Sequence, residues 1–184
     1  MDSDIYFYQS VDIVNREVEN YSIGIITHRH PHFLNNNTDV GKYNVGIVYF
    51  RNDEIGRSCS SFWKELMINV DNEWVNEYGS CGDQKYLELF EKQFTNVCVI
   101  DKLVGHAAPW CFDAHEYIDK YTIKYKDNIQ KLVFIHFSHF NIAENGWKSS
   151  YNGEWCPEEK HELVIEYYED YYKEMMETKK FFNL

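Results

Sequence analysis

Eight residues from Tyr43 to Phe50 (YNVGIVYF) form an apolar run, bounded by Gly41 on one side and by Arg51-Asn52-Asp53 on the other. An apolar run of that length closed by turn formers reads as a strand. Asp53 then stands where a helix N-cap belongs. Behind it Ile55, Cys59, Phe62, Trp63, Leu66, Met67, Val70 and Trp74 recur at steps of three and four. That spacing describes a helix with one buried and one charged face. The chain must therefore interleave strands with helices.

The rest of the sequence extends the same scheme. Ile5-Tyr6-Phe7-Tyr8 and Tyr21 to Thr27 (YSIGIIT) read as strands, and Val97 to Ile100 (VCVI) is short and β-branched enough to be a buried one. A polar, Asn-rich loop runs from His28 to Gly41. Gly79-Ser80-Cys81-Gly82 breaks the chain before a short helix opened by Asp83 and continuing through Tyr86, Leu87, Leu89 and Phe90. Gly105 to Trp110 reads as irregular, and Tyr121 to Tyr125 and Leu132 to Phe137 flank a hairpin turn at Lys126-Asp127-Asn128. Pro157 and Glu158-Glu159 start a long final helix, because proline suits the first turn and acids complement the helix dipole there. Tyr167, Tyr168, Tyr171, Tyr172, Met175 and Met176 give that helix a stripe that faces protein. No repeat, linker or low-complexity tract interrupts residues 1–184, so the expectation is a single α/β domain with a mixed sheet.

Composition limits what such a domain can bind. With 44% hydrophobic residues the chain can fill a core, and its net charge of -12 repels polyphosphate backbones, which excludes a nucleic-acid partner. The five cysteines are scattered without a C-x-x-C pair, which points to a reducing compartment. No apolar run is long enough for a transmembrane segment, and the start Met1-Asp2-Ser3-Asp4 is unlike a secretory signal, so the expected location is cytoplasmic.

Six groups of residues carry candidate chemistry. Asp2 and Asp4, one residue apart at the edge of a strand, can offer oxygen ligands to Mg²⁺ or Mn²⁺ while leaving positions open for a diphosphate. His136, at the polar end of Leu132 to Phe137, can add an imidazole ligand, with His139 as the alternative. Asp83 and Gln84 present a carboxylate and an amide at a helix start; Asp83 suits either a sugar-hydroxyl acceptor or general base, or an N-cap. Asn44 is an amide inside an apolar strand, where it needs a hydrogen-bonding partner from the protein or from a ligand. Trp110, Trp147 and Trp155 lie in loop-like stretches where an indole can stack on a sugar ring or plug the core. His28, His30 and His32 alternate in the Asn-rich loop, a spacing that serves zinc only if the loop folds back on itself.

Taken in order, Asp2 to Phe7 (DSDIYF), Tyr43 to Asp53 (YNVGIVYFRND), Gly82 to Leu87 (GDQKYL), Ala107 to Trp110 (AAPW) and Phe134 to Ser138 (FIHFS) resemble the second half of the catalytic domain of GT-A-type glycosyltransferases. The resemblance implies a GT-A-like fold that lacks most of the N-terminal nucleotide-binding half, which a missing segment or another chain would supply. It implies a divalent cation, Mn²⁺ or Mg²⁺, held by Asp2, Asp4 and His136 against a nucleotide-diphospho-sugar donor. It also assigns catalysis to Asp83 and Gln84, and substrate contacts to Asn44, Gly46, Trp110, Trp147 and Lys148, with a carbohydrate-type acceptor. Two departures stand out. His106 occupies a position where many relatives carry Asn. Phe137-Ser138-His139-Phe140 lacks the usual glycine and phosphate-contacting base, leaving Lys148 as the substitute. The competing expectation is a non-catalytic remnant that binds carbohydrate or stabilises a partner.

Overall fold

The computed structural model describes residues 1–31, 40–68, 82–149 and 158–183. The chain divides into two compact units, Met1–Ser3 with Ser10–Val104 and Asp4–Gln9 with Gly105–Leu184. Its class is mixed α/β, with parallel and antiparallel strand pairs in each unit. Among the described residues no helix is long and apolar enough to cross a membrane.

In the first unit, β2 (Ile23–Thr27) is the central strand, antiparallel to β3 (Tyr43–Phe50) and parallel to β4 (Val97–Ile100). Central placement explains its composition, since Ile23, Ile25 and Ile26 are all buried. Helix α2 (Glu54–Ile68) follows β3, and Asp53 caps it by accepting the Gly56 N–H at 2.8 Å. Cys59 of α2 packs with Ile23, Ile25, Tyr43, Leu87 and Phe90, while Trp63 meets Phe50 and Phe90. Val70 and Trp74 of the expected stripe lie outside the described residues. Helix α3 (Gly82–Lys85), a 3₁₀ turn (Tyr86–Leu89) and α4 (Phe90–Gln93) complete this side of the core.

Helix α1 (Asp12–Val18) has no counterpart in the sequence reading. Its apolar face is narrow, with Val14 and Val18 as its buried hydrophobic residues, and its fixed point is a buried acid. Glu17 accepts four backbone N–H groups: Oε1 from Asp101 and Lys102, both at 2.7 Å, and Oε2 from Leu103 and Val104 at 2.8 and 2.9 Å.

The pairing of β2 with β3 contains a bulge. Ile25 faces Val48 but Ile26 faces Asn44, so Val45-Gly46-Ile47 drops out of register. An amide taken out of the ladder needs another partner. The N–H of Gly46 finds it in the Asn44 side chain, whose Oδ1 accepts at 2.7 Å in an Asx-type turn.

The second unit is built on β8 (Asn128–His136). It pairs antiparallel with β7 (Thr122–Tyr125) over its first half and with β1 (Ile5–Phe7) near its end. The expected hairpin turn is present, closed by the Tyr125–Asn128 pair with Lys126 at φ 55. Gly105 to Trp110 departs from the irregular reading. Gly105–Ala107 is a strand, β5, running parallel to β8, and Pro109–Ala114 is a 3₁₀ turn. Gly105 itself permits the pairing, since a Cβ there would sit 2.3 Å from the Lys131 carbonyl oxygen. β6 (Glu116–Asp119) extends the sheet beyond β7, and its mostly exposed side chains give it no apolar signature. β9 (Asn141–Ala143) and β10 (Gly146–Lys148) form a separate hairpin.

The final helix, α5 (Glu158–Phe181), packs Val164, Tyr167, Tyr168 and Tyr171 with Ile123, Leu132, Ile135 and Phe137. Phe137 stacks on Tyr171 at 4.4 Å. The stripe read from the sequence thins beyond Tyr171: Met175 is partly buried against this core, whereas Met176 is exposed, as are Phe181 and Phe182 near the helix end.

Candidate metal centre

Strand pairing assembles the acidic pair and the late histidine. β1 aligns antiparallel with β8 so that Ile5 faces His136, and the Phe137 N–H donates to the Asp4 carbonyl at 2.7 Å. Asp4 is thereby set beside His136, with His136 Nε2 3.1 Å from Asp4 Oδ1. The imidazole is buried, with 9% of its side chain exposed, whereas the carboxylate is one-third open at 34%. The Trp110 ring meets His136 edge-on, with centroids 5.2 Å apart and planes at 82°.

Asp2 is two residues from Asp4 along the chain, so its proximity is local, and its N–H donates to the Gly46 carbonyl at 2.9 Å. Asp2, Asp4 and His136 each offer one ligand atom, and these atoms lie within 4.8 Å of one another. Two carboxylate oxygens and an imidazole nitrogen form a donor set suited to Mn²⁺ or Mg²⁺, softer at one corner than an all-oxygen site. When Nε2 carries a proton, the Asp4–His136 contact is a hydrogen bond. The partial exposure of Asp4 leaves room for a further ligand to approach. His139 is exposed, lies in a turn at φ 60, and is not part of the group.

Asn44 of β3 and Gln84 of α3 are bonded to one another. Asn44 Nδ2 donates to Gln84 Oε1 at 3.1 Å, and Gln84 Nε2 donates to the Val40 carbonyl at 2.9 Å. The Gln84 amide is thus engaged at both ends within the first unit. Asp83 lies inside the first turn of α3 rather than capping it, half-exposed, and its carbonyl accepts Trp63 Nε1–H at 3.0 Å.

Asn44 Nδ2 also lies 3.4 Å from His28 Nε2, a neighbour that sequence reasoning did not assign to it. The only signal for it was that a buried amide must have a partner. His28 stacks on His30 at 4.5 Å. Burial, followed by the neighbouring His30, pushes the His28 imidazole down to about 4, and burial also lowers His30. His32 and Trp155 lie outside the described residues, and no group of three metal ligands occurs at this loop among the described ones.

Trp147, on β10, is stacked on Tyr168 at 4.6 Å, packs near Phe140, and donates its indole N–H to Glu169 at 2.7 Å. Lys148 beside it is exposed. His106 is buried on β5 and stacks on Phe134 at 5.4 Å.

The chain matches no protein-family model, and no solved structure matches it. It is similar to two uncharacterized proteins of Bacillus subtilis (strain 168). With YfnF it is 31% identical over 104 residues, covering 56% of this chain and 34% of that protein. With YfnD it is 27% identical over 145 residues, covering 78% of this chain and 46% of that protein. The aligned segments therefore span between a third and a half of the length of these relatives.

Proposed function

We propose that this chain is the metal-binding and acceptor-side part of a GT-A-like glycosyltransferase, using a nucleotide-diphospho-sugar donor and a carbohydrate-type acceptor. The observation that carries the reading is the meeting of Asp2, Asp4 and His136 at the start of β1 and the end of β8. Asp2 and Asp4 would hold Mn²⁺ or Mg²⁺ through oxygen, and His136 through its imidazole. Bound there, the cation would neutralise charge on the diphosphate leaving group. It would also explain how a chain of net charge -12 accepts an anionic donor.

The chain's own residues supply binding and orientation. β1–β8 pairing fixes Asp4 against His136, and the half-buried Trp110 offers an aromatic surface beside that imidazole for the C–H face of a sugar. Asp83, half-exposed at the start of α3, would be a carboxylate able to accept an acceptor hydroxyl's proton. The additional length of the two relatives leaves room for the nucleoside-binding half that the resemblance implies.

Titration with Mn²⁺, followed by a nucleoside diphosphate, tests the proposal calorimetrically. Saturable Mn²⁺ binding, nucleotide binding that depends on it, and loss of both in Asp4→Ala are expected. Unchanged Mn²⁺ affinity in Asp4→Ala would sink the assignment. Sugar binding indifferent to a chelator would favour a non-catalytic carbohydrate-binding module instead.

A further inference from the structure

We infer that Asn44 is a positioning residue for the cation site, acting on Asp2 through the backbone of Gly46; this rests on the metal-binding reading above. Asn44 is buried in a strand whose other residues are almost all apolar, so its amide must be fully bonded to be tolerated. Its Oδ1 holds the Gly46 N–H, which the β3 bulge has removed from the sheet ladder. The opposite side of the same residue, the Gly46 carbonyl, accepts the Asp2 N–H at 2.9 Å. Gln84 fixes the rotamer of Asn44 by accepting from Nδ2, and is itself tied to the Val40 carbonyl.

A side-chain amide therefore shapes the bulge, the bulge aims a carbonyl, and that carbonyl holds the backbone from which the Asp2 carboxylate projects. Asn44 needs no contact with the cation to affect its affinity. Partners that orient metal ligands typically change affinity 10–100-fold when removed.

The test measures Mn²⁺ affinity of the full chain by the EPR signal of free Mn²⁺. Asn44→Ala is expected to weaken binding about tenfold. In an Asp2→Ala background the same substitution is expected to change nothing further, because the carboxylate it positions is gone. A loss that persists undiminished in Asp2→Ala overturns the inference, and so does wild-type affinity in Asn44→Ala. If Asn44→Ala fails to fold by far-UV circular dichroism, Gln84→Met replaces it. That variant keeps the side-chain length but removes the nearer of the two groups facing Asn44 Nδ2, at 3.1 Å against 3.4 Å for His28; a smaller loss, again absent in Asp2→Ala, is expected, and wild-type affinity refutes the role. Asp4→Ala separates the two readings. Mn²⁺ binding abolished by Asp4→Ala but insensitive to Asn44→Ala removes Asn44 and leaves the metal site standing. Wild-type protein that binds no Mn²⁺, or Asp4→Ala that binds as tightly as wild type, removes both.

Discussion

Replacing Glu17 by glutamine keeps the shape of the side chain but removes its charge and turns one accepting oxygen into a donating NH₂. In the native chain both carboxylate oxygens are fully used, each accepting two of the successive N–H groups of Asp101, Lys102, Leu103 and Val104 at 2.7 to 2.9 Å. Glutamine retains one accepting oxygen. Its NH₂ must face two backbone N–H groups, so two charge-assisted bonds are lost and four donors compete for one acceptor. Hydrogen bonds to a charged group contribute about 1.5–3 kcal/mol each, and the residue is buried, so the expected destabilisation is roughly 3–6 kcal/mol. That is a large part of the stability of an ordinary domain. Urea denaturation at neutral pH, read by far-UV circular dichroism, gives the change in stability, and hydrogen exchange at residues 101–104 shows whether the loss is local. A Glu17→Gln variant within about 1 kcal/mol of wild type, with those four amides still protected, would show that Glu17 does not hold the Asp101–Val104 backbone.

Two further outcomes follow from the geometry. His28 titrates near 4 in the folded chain against 6.5 in the unfolded chain, so the unfolded chain binds more protons between those values. Stability should therefore fall as pH drops through that window, by about 3 kcal/mol in all, with His30 adding in the same direction. His28→Gln should flatten the profile between pH 6.5 and 4, and parallel urea series showing equal slopes in the two proteins would contradict this. Gly105→Ala places a Cβ 2.3 Å from the Lys131 carbonyl oxygen, so β5 must move away from β8. Thermal denaturation should report a loss of about 1–3 kcal/mol, and a neutral substitution would mean the two strands are not held this close.

Local features were legible in the sequence because they depend on neighbours along the chain. The apolar run that became β3, the Asp53 cap before α2, the Lys126-Asp127 turn and the start of the last helix at Glu158 all rest on propensity, periodicity or capping within a few residues. The paired acids Asp2 and Asp4 are legible for the same reason. β6 and α1 were not, since one is a mostly exposed strand and the other a short helix with a narrow apolar face. Periodicity shows which face seeks a partner but not which partner it finds. Only the pairing of β1 with β8 brings His136 to Asp4, only the bulge in β3 joins Asn44 to Gly46, and only the packing of α3 brings Gln84 to Asn44. The stack of Trp147 on Tyr168, the four N–H groups around Glu17 and the partners of His28 are likewise decided by hydrogen bonds and ring contacts between segments distant in sequence. Such partners are chosen by burial, which leaves each polar group dependent on whatever donor or acceptor the tertiary fold brings within reach.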